Sequence, residues 1–347
     1  MNSSIIMGCR RTNCGMAPSE GPAGQCVKCG RNITCEGGIY VDSFSPVLAN
    51  FLEEIPYDEM HGVSISNSRG IGSGYINLIT SSIGISIDQQ TAVLEVGSGT
   101  GLLSLGLYMN GLSENLVITD VSKAFLIRNR ENISQYARAQ DRVVTNTSPT
   151  HVLCSIDDLP FKSGTFEIIL GNSVLHHIYD YRKALLLMRD NLKKGGCIVM
   201  SEPMVQGKAL QALIMNLISQ IDQRASDPIL TSGDYKKITN IVIASSKAWW
   251  DVQAEKKRDT ADDKHLFDAN EIKRVGDELG FAKVYVLDVG SVTDSLQKNV
   301  ESTAKMYGID TNRIREYNYV IDAVRSTIAE TMRESFLCNH ALLIFQR

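Results

Sequence analysis

Three groups of residues in this chain have the types and spacing to do chemistry. The first is Glu95, Gly97, Ser98, Gly99 and Gly101, an acid two residues ahead of three alternating glycines. Glycines let the backbone take positive φ and come close to a ligand. A helix opening straight after such a turn directs its free N–H groups at whatever is bound there. About twenty residues on, the apolar run 116–119 ends in Asp120, followed by Val121, and an acid at that place suits a ribose diol. A dinucleotide turn of the G-x-G-x-x-G type is excluded by Leu102, which stands where its third glycine would be.

The second group is His176 and His177, placed just after an apolar run at 166–170. In an open parallel sheet that position is the carboxyl edge, where ligands bind. A histidine there suits proton removal from a hydroxyl or a protonated amine, and it equally suits packing or orienting of the loop. Asp180, Tyr179 and His265 are further candidates.

The third group is cysteine. Five of the eight cysteines fall in the first 35 residues: Cys9, Cys14, Cys26, Cys29 and Cys35. Spacings of C-x4-C and then C-x2-C suit a tetrahedral zinc site of four thiolates. The expected ligands are Cys9, Cys14, Cys26 and Cys29, with Cys35 in reserve in a hairpin at 33–41. Disulfides and a redox C-x-x-C are the alternatives, and a reducing compartment disfavours the former. Cys154, Cys197 and Cys338 lie in or beside apolar strands and read as core.

The elements that must position these groups follow from periodicity. Strands are expected at 92–96, 116–119, 151–154, 166–170, 197–201, 283–289 and 340–346. The intervening helices are expected at 102–107, 122–139 (with Ser122 as N-cap), 181–192 and 268–279. Lys193-Lys-Gly-Gly196 should close the helix before it, with cations at its negative end. Ahead of the glycine turn, helices are expected at 43–55 and 75–83, broken by Gly70-Ile-Gly-Ser-Gly74. Strands alternating with helices imply an α/β, doubly wound sheet. Helical patterns at 207–225 and 238–254, the second with Trp249 and Trp250, suggest a lid after the fifth strand. Two more helices, at 294–307 and 311–333, intervene before the last strand. The domains read as 1–42 (Cys-rich), 43–90 (helical cap), 91–203 (core), 204–265 (lid) and 266–347 (remainder of the core).

With 43% hydrophobic residues the chain can bury a sizeable core. A net charge of −4 argues against broad nucleic-acid binding. No apolar run approaches the roughly 18 residues of a membrane span. The first residues lack the long apolar region of a secretory signal, so a cytoplasmic location is expected.

Taken in order, LEVGSGTG, ITD, DDLPFKSGTFEIIL, NSVLHHI and LKKGGCIVMSEP resemble the ubiquinone/menaquinone-type class I S-adenosylmethionine (SAM) methyltransferases over about residues 90–203. The resemblance implies a Rossmann-like, seven-stranded sheet with SAM as cofactor. Glu95, Gly97, Ser98, Gly99 and Gly101 would hold its amino-acid end, and Asp120 with Val121 its ribose. Ser155, Ile156 and Asp157 would line the adenine, and Asn172 would lie beneath the methyl group. This chain departs from the family at Ser155, where an acid is usual; Asp157 and Asp158 are the displaced carboxylates. The segment before the first strand would fold over the methionine end, which nominates Arg69 and Tyr75.

Three functions compete. The first is methyl transfer to a small molecule such as a sugar, lipid or natural-product intermediate, by a protein that could be a homodimer. The second is an RNA methyltransferase, because zinc-ribbon rRNA enzymes join such a module to this fold. The third is a SAM-binding partner without turnover.

Overall fold

The computed structural model describes residues 24–25, 31–44, 63–140, 149–253, 264–288, 292–331 and 340–347. Residues 45–55 of the expected helix at 43–55 and the ligands Cys9, Cys14, Cys26 and Cys29 lie outside them. Among the described residues, no group of three or more His, Cys, Asp or Glu could hold a metal ion. No described helix is long and apolar enough to cross a membrane.

One sheet runs through the molecule. Its strands are β1 (Gly24–Gln25), β2 (Asn32–Glu36), β3 (Ile39–Asp42), β4 (Val93–Val96), β5 (Leu116–Asp120), β6 (Thr150–Leu153), β7 (Phe166–Asn172), β8 (Leu192–Pro203), β9 (Lys283–Asp288) and β10 (His340–Gln346). Their spatial order is β1-β2-β3-β6-β5-β4-β7-β8-β10-β9. The seven strands from β6 to β9 are those expected, with β10 antiparallel between β8 and β9. The expectation of a seven-stranded sheet is nevertheless corrected to ten strands among the described residues. β3 of the hairpin β2–β3 pairs parallel with β6 and covers the backbone groups that β6 would otherwise present as an open edge.

The central strands are apolar on both faces because helices cover both. Val93 of β4 packs with Ile118, Ile168 and Ile344 on one side of the sheet. Its neighbours Leu94 and Val96 pack with Ile169, Ile198 and Phe345 on the other.

The helices are α1 (Ile65–Ile83), α2 (Leu102–Met109), α3 (Lys123–Ala139), α4 (Tyr181–Asn191), α5 (Val205–Gln223), α6 (Ser232–Gln253), α7 (Ala269–Glu278), α8 (Val292–Met306), α9 (Thr311–Arg315) and α10 (Asn318–Thr331). α1 corrects a prediction, since Gly70 to Gly74 do not break it. Glycine inside a helix costs about 1 kcal/mol relative to alanine. Here it permits a close helix crossing. A Cβ on Gly72 would stand 2.4 Å from the Gly106 carbonyl carbon, and one on Gly106 only 2.0 Å from the Ser68 carbonyl oxygen. Gly106→Ala should therefore force α1 and α2 apart and destabilise the fold by about 1–3 kcal/mol, read from urea unfolding.

Two other boundaries differ. Lys193 to Gly196 do not close α4 but already belong to β8. Their backbone is tied to the chain end, with Arg347 N donating to Gly196 O at 2.9 Å, and a Cβ on Gly196 would meet the Glu167 carbonyl at 2.5 Å. The expected single helix at 311–333 is two, α9 and α10, with Tyr317 between them. That break lets the Tyr317 hydroxyl donate to the wholly buried Asp222, which also accepts from Tyr235 and from the N–H groups of Ile229 and Leu230.

The insertions after β8 and after β9 pack together. Ile214, Ile218, Ile238, Val300, Ala304, Ile314 and Ile321 form a core separate from the two that flank the sheet. The expected lid and the late helices are thus one helical module. The side chains of Trp249 and Trp250 lie outside the described residues.

Candidate functional site

The turn between β4 and α2 is built on positive φ at Gly97 (62°), Gly99 (53°) and Gly101 (104°). At Gly97 the lack of a side chain also makes room for Val174, whose Cγ2 would sit 2.1 Å from a Cβ there. Asp120 ends β5 beside this turn. One of its oxygens accepts from Gly99 N and the other from Ser122 N, both at 2.8 Å. Burial raises its pKa, and these N–H groups oppose the rise. The same acid thus shapes the glycine turn and closes the one at 120–122, where Ser122 caps α3 as expected.

Behind the turn runs a line of buried polar side chains. Ser104 of α2 donates to Glu95, Asn129 of α3 donates to Ser104 Oγ at 2.9 Å, and His151 Nε2 lies 3.3 Å from Asn129 Oδ1. Burial, reinforced by nearby Asp120, pushes the Glu95 carboxyl up to about 8 against the opposing Ser104 bond. Burial, with Arg130 adding to it, pulls His151 down to about 4. Ser104, Asn129 and His151 escaped the sequence reading, although each is a polar residue on an otherwise apolar face.

His151 carries a pH prediction. Its folded pKa lies below the ordinary value of about 6.5, so the unfolded chain binds more protons between the two values. Stability should therefore fall as pH drops from about 6.5 to about 4, by at most about 1.4 kcal/mol per pH unit. His151→Gln should flatten that part of a denaturation series.

Beside Asp120, the N–H of Cys154 donates to its carbonyl at 3.1 Å and leads into the turn Ile156–Asp158. Ser155 Oγ caps that turn by accepting from Asp157 N at 3.2 Å. Ser155 and Ile156 are buried, Val121 is half-buried and Asp157 is exposed. Of the two displaced acids, Asp158 is paired with Arg31.

The end of β7 carries Asn172, whose Oδ1 accepts from the Tyr75 hydroxyl at 3.2 Å. Tyr75 comes from α1 and also reaches Gly171 O at 3.1 Å, whereas Arg69 is exposed on the same helix. Next comes Ser173, at φ 57° the one non-glycine residue with positive φ among the described residues. This bend turns three successive N–H groups onto Glu202. Those of Val174 and Leu175 reach Oε1 at 3.2 and 2.7 Å, and that of His176 reaches Oε2 at 3.2 Å. His176 Nδ1 lies 2.6 Å from the same Oε2. Glu202, at the end of β8, is 0% exposed. A carboxylate so surrounded fixes His176 with Nδ1 as donor, which leaves Nε2 as the basic nitrogen. Ser173→Gly should fold at least as well as the native chain, while Ser173→Val should cost about 1–2 kcal/mol in chemical denaturation.

Glu202 was read from sequence only as the acid before Pro203. The signal was an acid closing a buried strand at the same sheet edge as the histidines. His177 is half-buried, its ring centroid 4.0 Å from that of His176. Asp180 caps α4, and Tyr179 is exposed. His265 holds the histidine turn from outside. Its N–H and that of Lys264 donate to His176 O, and its Nε2 lies 3.0 Å from Ile178 O.

The site therefore gathers the glycine turn, Asp120, Asn172, Tyr75 and His176 at the carboxyl ends of β4, β5, β7 and β8. Residues 94–200 match a methyltransferase domain. That domain contains Glu95, the glycine turn, Asp120, Ser155, Asn172 and both histidines, but ends two residues short of Glu202. The reducing polyketide synthase Preu2 of Preussia isomera is 31% identical over 110 residues, 32% of this chain and 4% of that protein. The tRNA U34 carboxymethyltransferase of Pseudomonas aeruginosa is 30% identical over 122 residues, 35% of each chain. The chain thus spans only a small share of the polyketide synthases that it matches. Among solved structures, phosphoethanolamine N-methyltransferase 2 of Haemonchus contortus superposes with a TM-score of 0.44 at 14% identity. That superposition covers 81% of this chain and 56% of the other.

Proposed function

We propose that the protein is a SAM-dependent methyltransferase that acts on a small-molecule acceptor, with His176 as the base. The observation that carries the reading is the His176–Glu202 pair, held beside a glycine turn whose neighbouring strand ends in a buried acid. The residues fit the cofactor: three glycines at positive φ leave room for close approach, and Asp120 is an acceptor for two hydroxyls. Glu95, Gly97, Ser98, Gly99 and Gly101 take the amino-acid end, Asp120 and Val121 the ribose. Ser155, Ile156 and Asp157 take the adenine, and Asn172 faces the reacting centre.

SAM, when bound, supplies an electrophilic methyl group on a sulfonium. The chain's own part is to align the acceptor and to remove its proton. His176 Nε2 takes that proton from an O–H, N–H or acidic C–H of the acceptor, and Glu202 stabilises the imidazolium that results. Tyr75 holds Asn172, and burial keeps its phenol protonated as a donor. The helical module stands at the same edge and excludes water from the acceptor.

The test is transfer of labelled methyl from SAM into fractions of a metabolite extract from a deletion strain. Label in a small-molecule fraction supports the proposal. Label in RNA alone would favour the nucleic-acid reading, and cofactor binding without any turnover would favour a non-catalytic partner.

We also propose that Cys9, Cys14, Cys26 and Cys29 hold one structural zinc, with Cys35 exposed in β2 as the alternative ligand. Four thiolates complete a tetrahedral site and leave no position for substrate. One zinc per chain by elemental analysis, and loss of N-terminal protease resistance on chelation, are the expected results.

A further inference from the structure

The buried ion cluster at the other edge of the sheet has no part in the mechanism above. Arg31, 2% exposed, lies just ahead of β2 and grips Asp42, the last residue of β3. Its Nε donates to Oδ1 at 2.9 Å and its Nη2 to Oδ2 at 2.5 Å. The same guanidinium then crosses to the turn after β6. Nη2 donates to the Asp158 carbonyl at 2.7 Å and Nη1 to Asp158 Oδ1 at 3.2 Å. The ring of Phe44 lies 5.4 Å from its central carbon. One planar cation thus ties the hairpin β2–β3 to a turn 127 residues away in sequence.

That turn lies beside Asp120 at the end of β5. Cys154 N is bonded to the carbonyl of Asp120, and Asp158 N closes the turn onto Ser155 O at 3.1 Å. Holding Asp158 at the far end therefore fixes where Ser155, Ile156 and Asp157 face. It also engages one oxygen of the Asp158 carboxylate, so that Ser155 and Asp157 are the members of this turn not held by Arg31. A lysine could not do this, because the contact uses the fork of the guanidinium to meet two acids and a carbonyl together.

We propose that Arg31 is a positioning residue for the cofactor's adenine, so that the N-terminal hairpin is a working part of the cofactor site. The inference rests on the proposed SAM reading. It assigns to this hairpin the setting of specificity for the base's exocyclic amine, through the orientation of Ser155 and Asp157.

The experiment compares the affinity for S-adenosylhomocysteine with that for its inosine counterpart, in which an oxo group replaces the exocyclic amine. Titration calorimetry is run on the full chain, on Arg31→Lys, on Asp158→Asn and on the double variant Arg31→Met with Asp42→Leu. The double variant removes both buried charges and so avoids a stranded carboxylate. Asp158 is partly exposed, so its variant retains the fold. Circular dichroism verifies each. The native chain should prefer the adenosine ligand. The folded variants should lose affinity for it by about ten-fold or more, lose less for the inosine ligand, and so discriminate less. Native affinity and discrimination in the folded variants would overturn the proposal. Equal losses for both ligands would also overturn it, by reducing Arg31 to general support. Binding of neither ligand by the native chain would instead refute the SAM reading itself, and this inference with it.

Discussion

His176→Gln is expected to lower methyl transfer by roughly 10²–10⁴-fold while leaving cofactor affinity near the native value. The imidazole is the basic group that the site orients, and it lies outside the glycine turn and Asp120, which are proposed to hold the cofactor. Single-turnover rates beside equilibrium titrations separate the two effects. Glu202→Gln should lower turnover as well, and it should also weaken the fold. Its amide nitrogen would face N–H donors that now meet a carboxylate, and disrupting such a buried, charge-assisted cluster costs on the order of 3–5 kcal/mol. A His176 variant with native turnover would leave His177 as the remaining base in this turn, or alignment alone as the source of rate.

The second large effect is at Asp120. Asp120→Ala removes the acceptor proposed for two ribose hydroxyls and the partner of Gly99 N and Ser122 N. Loss of charge-assisted bonds of this kind costs about 1.5–3 kcal/mol, or roughly a ten- to a hundred-fold weaker Kd. Thermal unfolding without ligand measures the turn's share of the loss. Calorimetric titration measures the rest. Unchanged affinity would remove Asp120 from the cofactor site.

The parts of this fold that were legible in the sequence are those governed by local rules. β4, β5 and β7 are short, mostly apolar runs, and their alternation with helices implied the parallel sheet. Ser122 announced a helix start by capping chemistry, and it caps an α-helix in the structure. What could not be read depended on contacts between distant segments. Gly70 to Gly74 carry a breaker's composition, yet the α1–α2 crossing needs glycine at 72 and 106, and tertiary contact overrode local propensity. The parallel pairing of β3 with β6 joins segments more than a hundred residues apart, so the count of seven strands fell short. In the site, the glycine turn and His176 were visible by type and position. Glu202 was not, because its role depends on the bend at Ser173 that turns three N–H groups toward it. Arg31 was likewise silent, since a lone arginine after a cysteine pair says nothing of two acids, one of them 127 residues on.

The glycine turn and Asp120 are proposed as a SAM site. The most direct test is equilibrium titration of S-adenosylhomocysteine into the native chain and into Gly97→Val. In that variant a side chain would enter the space now taken by Val174, at the turn itself. The expected result is one saturable site per chain, competed by SAM and lost in the variant. A folded native chain with no saturable binding, or with binding indifferent to Gly97→Val, would contradict it.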